Sequence, residues 1–218
     1  MKRGDHFSAN CPPTWRKWVE KGVYTPLKAE RVLEYRSKEE QLPSDKNGKD
    51  LIKEIYDHFF PSPIKFEASA AEIAKLMLKN ITRIDLTRPT RDGGRDAIGQ
   101  FRIGEGPSAV DIDFALEAKC YAINKPVGVK ELSRLISRLR HRQFGVFVTT
   151  SYIGLQAYQE IKEDKHPIVI ISAVDIVKVL KSSGISAGKR LTEWLSSFWY
   201  FFSPKLCRYL KYPPSPYW

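Results

Sequence analysis

FALEAKCY, at residues 114–121, is a mostly apolar run typical of a buried strand, yet it carries a glutamate and a lysine two positions apart. In a strand, residues i and i+2 point to the same face. Glu117 and Lys119 therefore share one face, and the apolar residues that alternate with them share the other. Such a pair of opposite charges predicts either a solvated ion pair on an edge strand or a site with a chemical role.

Length and composition describe an ordinary globular chain. It has 218 residues, which is enough for one well-buried domain or for one domain with an appendage, and 42% of them are hydrophobic and 28% are charged. No run of 18 uncharged apolar residues occurs, so the sequence predicts no membrane span, and the N-terminal residues lack the apolar core of a signal peptide. Three scattered cysteines are too few for a disulfide framework, and a cytoplasmic location is expected.

The charge is strongly basic and unevenly distributed. The net charge is +11 and the isoelectric point is about 9.5. Residues 129–218 hold 14 basic and 6 acidic side chains, and so carry most of the excess. This balance favours polyanionic partners, with nucleic acid first and an anionic membrane surface second.

The hydrophobic pattern predicts an α/β fold. It gives the order helix, three strands, helix, strand, helix, strand and helix, with helices at 68–79 and 129–142 and an apolar, central strand at 167–172. Strands separated by helices pair in parallel, whereas the tight turns between residues 86 and 110 indicate antiparallel pairing. We therefore expect a mixed central β-sheet flanked by helices.

Composition divides the chain into three regions. A helical N-terminal extension is expected at 1–62, with helices at 29–41 and 49–60, and it ends at a Pro-Ser-Pro sequence. The α/β domain follows at 63–184. Prolines and basic residues interrupt an aromatic-rich tail at 185–218, so this tail cannot span a bilayer. It is expected to dock on this domain or on a partner subunit, with a membrane-surface anchor as the alternative.

A second carboxylate precedes the charged strand by 21 residues. Asp96 follows a glycine-rich turn that delivers it to the start of the second strand. If the second and third strands pair as neighbours, Asp96 and Glu117 meet at one end of the sheet, where they and the carbonyl oxygen of Ala118 offer the oxygen ligands that Mg²⁺ prefers. Lys119 is then placed to orient or deprotonate a water molecule, or to stabilise charge on a phosphate. This set of groups is the one that metal-assisted phosphodiester hydrolysis requires.

The motifs DGGRDAIG at 92–99 and EAKCY at 117–121 resemble the Asp…Glu-x-Lys signature of the PD-(D/E)XK nuclease superfamily. More narrowly, they resemble the Mrr-like branch of restriction endonucleases. That branch typically continues with a helix opening on VGV and a GVFVTTS strand, and both motifs occur in that order within residues 127–161. The resemblance covers roughly residues 64–182 and implies a restriction-endonuclease-like core.

The resemblance assigns roles to individual residues. Asp96 and Glu117 correspond to metal ligands and Lys119 to the catalytic lysine. The pair Phe66-Glu67 matches an acidic position that the family often carries on its first helix, so Glu67 is a third candidate ligand, although a surface role explains it equally well. The implied cofactor is Mg²⁺, with Mn²⁺ as a substitute.

A basic segment follows the charged strand. In related folds the corresponding helix flanks the site and faces DNA phosphates, although a solvated helix surface is the alternative. The candidate DNA-binding residues are Lys130, Arg134, Arg138, His141, Arg142 and Gln143.

Taken together, these patterns predict a Mg²⁺-dependent endonuclease of the restriction type that hydrolyses phosphodiester bonds in double-stranded DNA. A homodimer is expected, because cutting both strands requires two sites. Mrr-like enzymes usually carry a separate DNA-recognition domain, which residues 1–62 do not resemble. Two alternatives stay open: a Holliday-junction or repair nuclease on the same fold, and a DNA-binding module without catalysis.

Overall fold

A computed structural model describes residues 20–22, 35–87, 95–186 and 188–198. The chain forms two compact units, Met1–Glu34 and Tyr35–Trp218, and the elements below belong to the second. The glycine-rich turn at 92–94, the first part of the predicted helix at 29–41 and residues 199–218 of the aromatic tail lie outside the described residues.

A five-stranded mixed sheet forms the centre of the second unit. Its strands are β1 (Ile81–Leu86), β2 (Ala97–Ile103), β3 (Val110–Lys119), β4 (Phe144–Thr149) and β5 (Ile168–Ile171). They lie in the order β1-β2-β3-β4-β5. The first three strands pair antiparallel, and β3, β4 and β5 pair in parallel. The change in strand direction therefore occurs at β3, the strand that carries the charged pair.

Helices connect the strands and precede the sheet. They are α1 (Lys38–Gln41), α2 (Lys46–Phe59), α3 (Pro63–Met77), α4 (Val129–Ile136), α5 (Leu155–Glu163), α6 (Ala173–Ser182) and α7 (Lys189–Ser197). The order of helices and strands and the mixed pairing confirm the predicted α/β architecture.

The core lies on both faces of the sheet. On one face, apolar residues of α2, α3, α6 and α7 pack against Leu116 and Ala118 of β3. On the other face, α4 and α5 pack against Ala115 of β3 and Phe147 of β4. Because side chains alternate along a strand, Glu117 lies on the same face as Ala115. Cys120 packs at the margin of the first core, and burial raises the pKa of its thiol to about 11.

Two predictions about the strands and helices were wrong in position. The apolar strand near residue 170 is at the edge of the sheet and not at its centre. It is apolar throughout because Ile171 packs in one core and Ile170 in the other. The helix α3 begins at Pro63 and not at residue 68, so Ser69 lies inside it and donates a hydrogen bond to the carbonyl of Phe66.

The basic helix is shorter than predicted. It ends at Ile136, and the segment from 137 to 143 forms turns in which Arg142 adopts a left-handed conformation with φ of 64°. The hydroxyl of Ser137 donates to the carbonyl of Arg134, and the side chain of Gln143 accepts from the backbone of Arg140. The backbone N–H groups of Arg138 and Leu139 donate to the carbonyls three residues before them, so the regular α-helix does not continue beyond Ile136.

The described parts of the two terminal regions pack into the main core. Leu51, Ile55 and Phe59 of α2 belong to the same buried cluster as β3. At the other end, Phe198 is buried and Trp194 packs against this cluster. Within the described part of the predicted helix at 29–41, the helix begins at Lys38, and α2 begins at Lys46 rather than at residue 49. The three-region division remains a prediction.

Candidate active site

The pairing of β2 with β3 brings Asp96 to Glu117. Ala97 lies opposite Leu116, so Asp96, which directly precedes β2, lies beside Glu117, the next residue of β3. The backbone N–H of Asp96 donates to the carbonyl of Leu116 over 3.1 Å, and Oδ2 of Asp96 accepts a 2.7 Å hydrogen bond from the N–H of Ala118. The two carboxylates thus occur at the same end of the sheet, as the sequence predicts.

Glu117 is fully buried and is surrounded by cationic groups. Nζ of Lys119 lies 2.9 Å and Nε of Arg134 lies 3.8 Å from its Oε1, while NH1 of Arg138 donates to Oε2 over 3.3 Å. A buried carboxylate requires such compensation, because an isolated charge is strongly disfavoured away from water. Oε1 nevertheless accepts no hydrogen bond within the described residues, so the ammonium group forms an ion pair without hydrogen-bond geometry.

Lys119 connects the buried carboxylate to the surface of the site. Its side chain keeps 21% of its accessible surface. Its ammonium group also donates to the carbonyl oxygen of Ala118 over 3.2 Å. The lysine is therefore held by two neighbours at one end of the sheet while part of it remains accessible to a ligand from solvent.

Glu67, on α3, interacts electrostatically with the two carboxylates. Burial, together with the negative charges of Asp96 and Glu117, raises its pKa to about 7, although Lys119 acts in the opposite direction. Burial also raises the pKa of Asp96, with a further contribution from Glu117, while the hydrogen bond from Ala118 and the charges of Lys119 and Arg134 lower it. Crowding of negative charge in a partly buried place is typical of sites that bind cations.

The donor atoms of this site suit a hard divalent cation. They are carboxylate oxygens of Asp96 and Glu117 and the carbonyl oxygen of Ala118, and the buried Oε1 of Glu117 lacks a hydrogen bond. Among the described residues, no group of three or more His, Cys, Asp or Glu side chains is arranged to hold a metal ion. Glu67 therefore does not complete a three-carboxylate site in this arrangement, and the fitting set is two carboxylates with one backbone carbonyl.

The six predicted DNA-binding residues differ in exposure and in their contacts. Lys130 is exposed on α4, and His141 and Arg142 are exposed on the turns that follow it. Arg134 is about half exposed, but Arg138 is largely buried and points toward Glu117. Two of the expected phosphate contacts are thus members of the carboxylate cluster.

Two contacts support the site, and sequence reasoning missed the first of them. Arg95 donates to the carbonyl of Arg138 over 3.0 Å, and nothing in the sequence except its position beside Asp96 indicates this contact. The hydroxyl of Thr150 accepts from the N–H of Tyr121 over 2.9 Å and donates to its carbonyl over 2.7 Å. The position of Thr150 at the end of β4, beside the end of β3, is the signal for the second contact.

The mixed sheet, with its charged cluster beside β3, defines an α/β protein of the restriction-endonuclease type. The chain belongs to the restriction endonuclease family Mrr_cat, whose model matches residues 61–180. A search of curated proteins finds no match.

Two solved structures resemble the chain. The DNA modification-dependent restriction endonuclease AspBHI is 48% identical with a TM-score of 0.73, and the match covers 89% of this chain and 50% of that protein. The MspJI restriction endonuclease in complex with a 27-mer oligonucleotide is 25% identical with a TM-score of 0.66, and the match covers 86% of this chain and 44% of that protein. The chain thus spans about half the length of each. Within its described part, no helix is long and apolar enough to cross a membrane.

Proposed function

We propose that this chain is a divalent-metal-dependent endonuclease that hydrolyses phosphodiester bonds in double-stranded DNA. The observation that carries the proposal is the convergence of Asp96, Glu117 and Lys119 at one end of β3, where Asp96 is hydrogen-bonded to Ala118 and Glu117 is buried beside Lys119. Membership of the restriction endonuclease family supports this chemistry.

Asp96, Glu117 and the carbonyl oxygen of Ala118 would hold Mg²⁺, or Mn²⁺ in its place. Such a cation, when bound, polarises phosphate oxygens and lowers the pKa of a coordinated water molecule. The hydrogen bond from Ala118 keeps the Asp96 carboxylate in place, so this ligand needs little reorganisation. Lys119 orients the attacking water or balances the negative charge that develops on the phosphate.

The proposed substrate is DNA that carries a modified base. The support is the similarity to AspBHI, whose name describes it as modification-dependent. Exposed basic residues of α4 and of the turns that follow it, which include Lys130, His141 and Arg142, would contact backbone phosphates. The proposal includes a homodimer, because both strands of the DNA must be cut. It also includes a separate DNA-recognition domain or subunit, because the modified base must be recognised.

A cleavage assay with matched variants tests the proposal. Wild-type protein, Asp96→Asn and Lys119→Ala are incubated with unmodified and methylated plasmid, with Mg²⁺ and with EDTA. The matched controls are Asp113→Asn, which removes an exposed carboxylate of β3, and Lys178→Ala, which removes an exposed lysine of α6.

We expect cleavage by wild type and by both controls with Mg²⁺, and a loss of at least about a hundredfold in the two site variants, as is usual when a catalytic group is removed. Cleavage by Lys119→Ala or Asp96→Asn at the wild-type rate would remove that residue from the mechanism. Salt-sensitive DNA binding without cleavage under any metal would instead identify a DNA-binding module.

A further inference from the structure

The arginine that follows α4 contacts the most buried acidic side chain of the site. Arg138 donates to Oε2 of Glu117 over 3.3 Å, whereas Lys119 and Arg134 lie on the Oε1 side. Only 20% of the Arg138 side chain is accessible. The guanidinium group of Arg138 therefore faces Glu117, and little of it is accessible to DNA.

The turn that carries Arg138 is attached to the other carboxylate segment. Arg95 donates to the carbonyl of Arg138 over 3.0 Å, and the next residue, Asp96, accepts the hydrogen bond from Ala118. The dipeptide Arg95-Asp96 therefore both contacts the turn that carries Arg138 and contains a proposed metal ligand.

The positive groups around Glu117 oppose the binding of a cation. Among the described residues, Lys119, Arg134 and Arg138 contact Glu117, while the carboxylates of Asp96 and Glu67 interact with it electrostatically. A divalent ion that binds Glu117 would lie close to these cationic groups, whose repulsion weakens its binding. A DNA phosphate would offset this repulsion, and Arg138 is the group whose carboxylate partner the ion would share.

We propose that Arg138 is a positioning residue that compensates Glu117 while the metal position is empty and turns to a DNA phosphate when both ligands bind. The inference rests on the proposed function. It predicts that metal binding is weak without DNA, that DNA strengthens it, and that by linkage metal strengthens DNA binding equally.

Titration calorimetry with Mn²⁺ alone tests the first part. The proteins are wild type, Arg138→Met and the matched control Arg140→Met, which removes an exposed arginine from the same turn. We expect Arg138→Met to bind Mn²⁺ about tenfold more tightly than wild type, because one repelling charge is gone. Arg140→Met should bind like wild type. An unchanged or weaker affinity in Arg138→Met, or equal tightening in both variants, would overturn the inference.

Arg134→Met provides a second variant if Arg138→Met fails to fold, because the Arg134 side chain is about half exposed and lies farther from Glu117. Thermal unfolding identifies a folding failure, and Arg134→Met then decides the question: tighter Mn²⁺ binding by a smaller factor supports the inference, and unchanged binding refutes it. If neither wild type nor any variant binds Mn²⁺, the proposed function fails as well, and this outcome differs from equal binding by all of them.

Fluorescence anisotropy with a phosphorothioate duplex, which resists hydrolysis, tests the second part. The ratio of DNA affinities with and without Mn²⁺ should exceed one in wild type and should fall severalfold in Arg138→Met. An identical ratio in wild type and Arg138→Met would contradict the exchange of partners, even if Mn²⁺ binding alone were tighter.

Discussion

Glu67 should make the stability of the metal-free protein depend on pH. Its pKa is raised from 4.5 to about 7, mainly by burial and by the charge of Asp96. Because the folded state disfavours the ionised form of this carboxyl group, the free energy of unfolding falls as the pH rises. The stability difference develops above the unfolded pKa of 4.5 and levels off above about 7.

The magnitude follows from the size of this shift. For a fully buried group, a pKa shift of this size would correspond to about 3 kcal/mol of unfolding free energy. Glu67 is only about half-buried, so solvent screening reduces the expected effect to about 1–2 kcal/mol. Glu67→Gln removes the ionisation while preserving the shape of the side chain, and it should be more stable than wild type by that amount above pH 7 and by little near pH 4.5.

Urea unfolding measured by circular dichroism in EDTA, from pH 4.5 to pH 8, provides the test. The matched control is Glu72→Gln, on the same helix, where 43% of the side chain is accessible and the carboxylate lies 4.0 Å from Lys75. The control should show a much smaller pH-dependent difference. A Glu67→Gln difference that stays constant across this pH range would refute the proposed clustering of charge around Glu67.

Two further substitutions test contacts that stabilise the fold, and urea unfolding measures both. Gln41→Ala should lower the unfolding free energy by about 2–4 kcal/mol, because the buried amide of Gln41 bonds both the N–H and the carbonyl of Ile153; Gln156→Ala, on the exposed side of α5, is the control, and an equal loss there would contradict the reasoning. Gly99→Ala should cost about 1–3 kcal/mol, because its Cβ would lie 2.4 Å from the ring of Phe114; unchanged stability would show that this strand contact relaxes freely.

The order of elements and the meeting of Asp96 with Glu117 could be predicted because their signals are local. Alternating side chains identify β3, and the short connection after β2 predicts an antiparallel pair whose register brings the two carboxylates to one end of the sheet. The family motifs added the likeness to restriction endonucleases, which the comparisons confirm.

The end of α4 could not be predicted in the same way. Residues 137–142 have good helical propensity and continue the apolar stripe through Leu139, yet the helix ends at Ile136. The competing interactions are tertiary: Arg138 contacts the buried Glu117, and Arg95 binds the Arg138 carbonyl. Local propensity yields to such contacts, and the sequence does not reveal which arginine a buried carboxylate will attract.

The position of β5 at the edge of the sheet could not be predicted from its hydrophobicity. An apolar run is expected in a central strand, but helices cover both faces of this edge, so Ile170 and Ile171 are both buried. Hydrophobicity reports whether the faces of a strand are covered. It does not report whether the strand has one neighbour or two.

Anomalous diffraction from a crystal soaked in Mn²⁺ would show whether Asp96 and Glu117 bind the same cation. We predict one strong peak within coordination distance of carboxylate oxygens of Asp96 and Glu117 and of the Ala118 carbonyl, and its loss in a crystal of the Asp96→Asn variant. A well-diffracting, soaked wild-type crystal with no peak at this end of β3, or with its strongest peak at other side chains, would contradict the account.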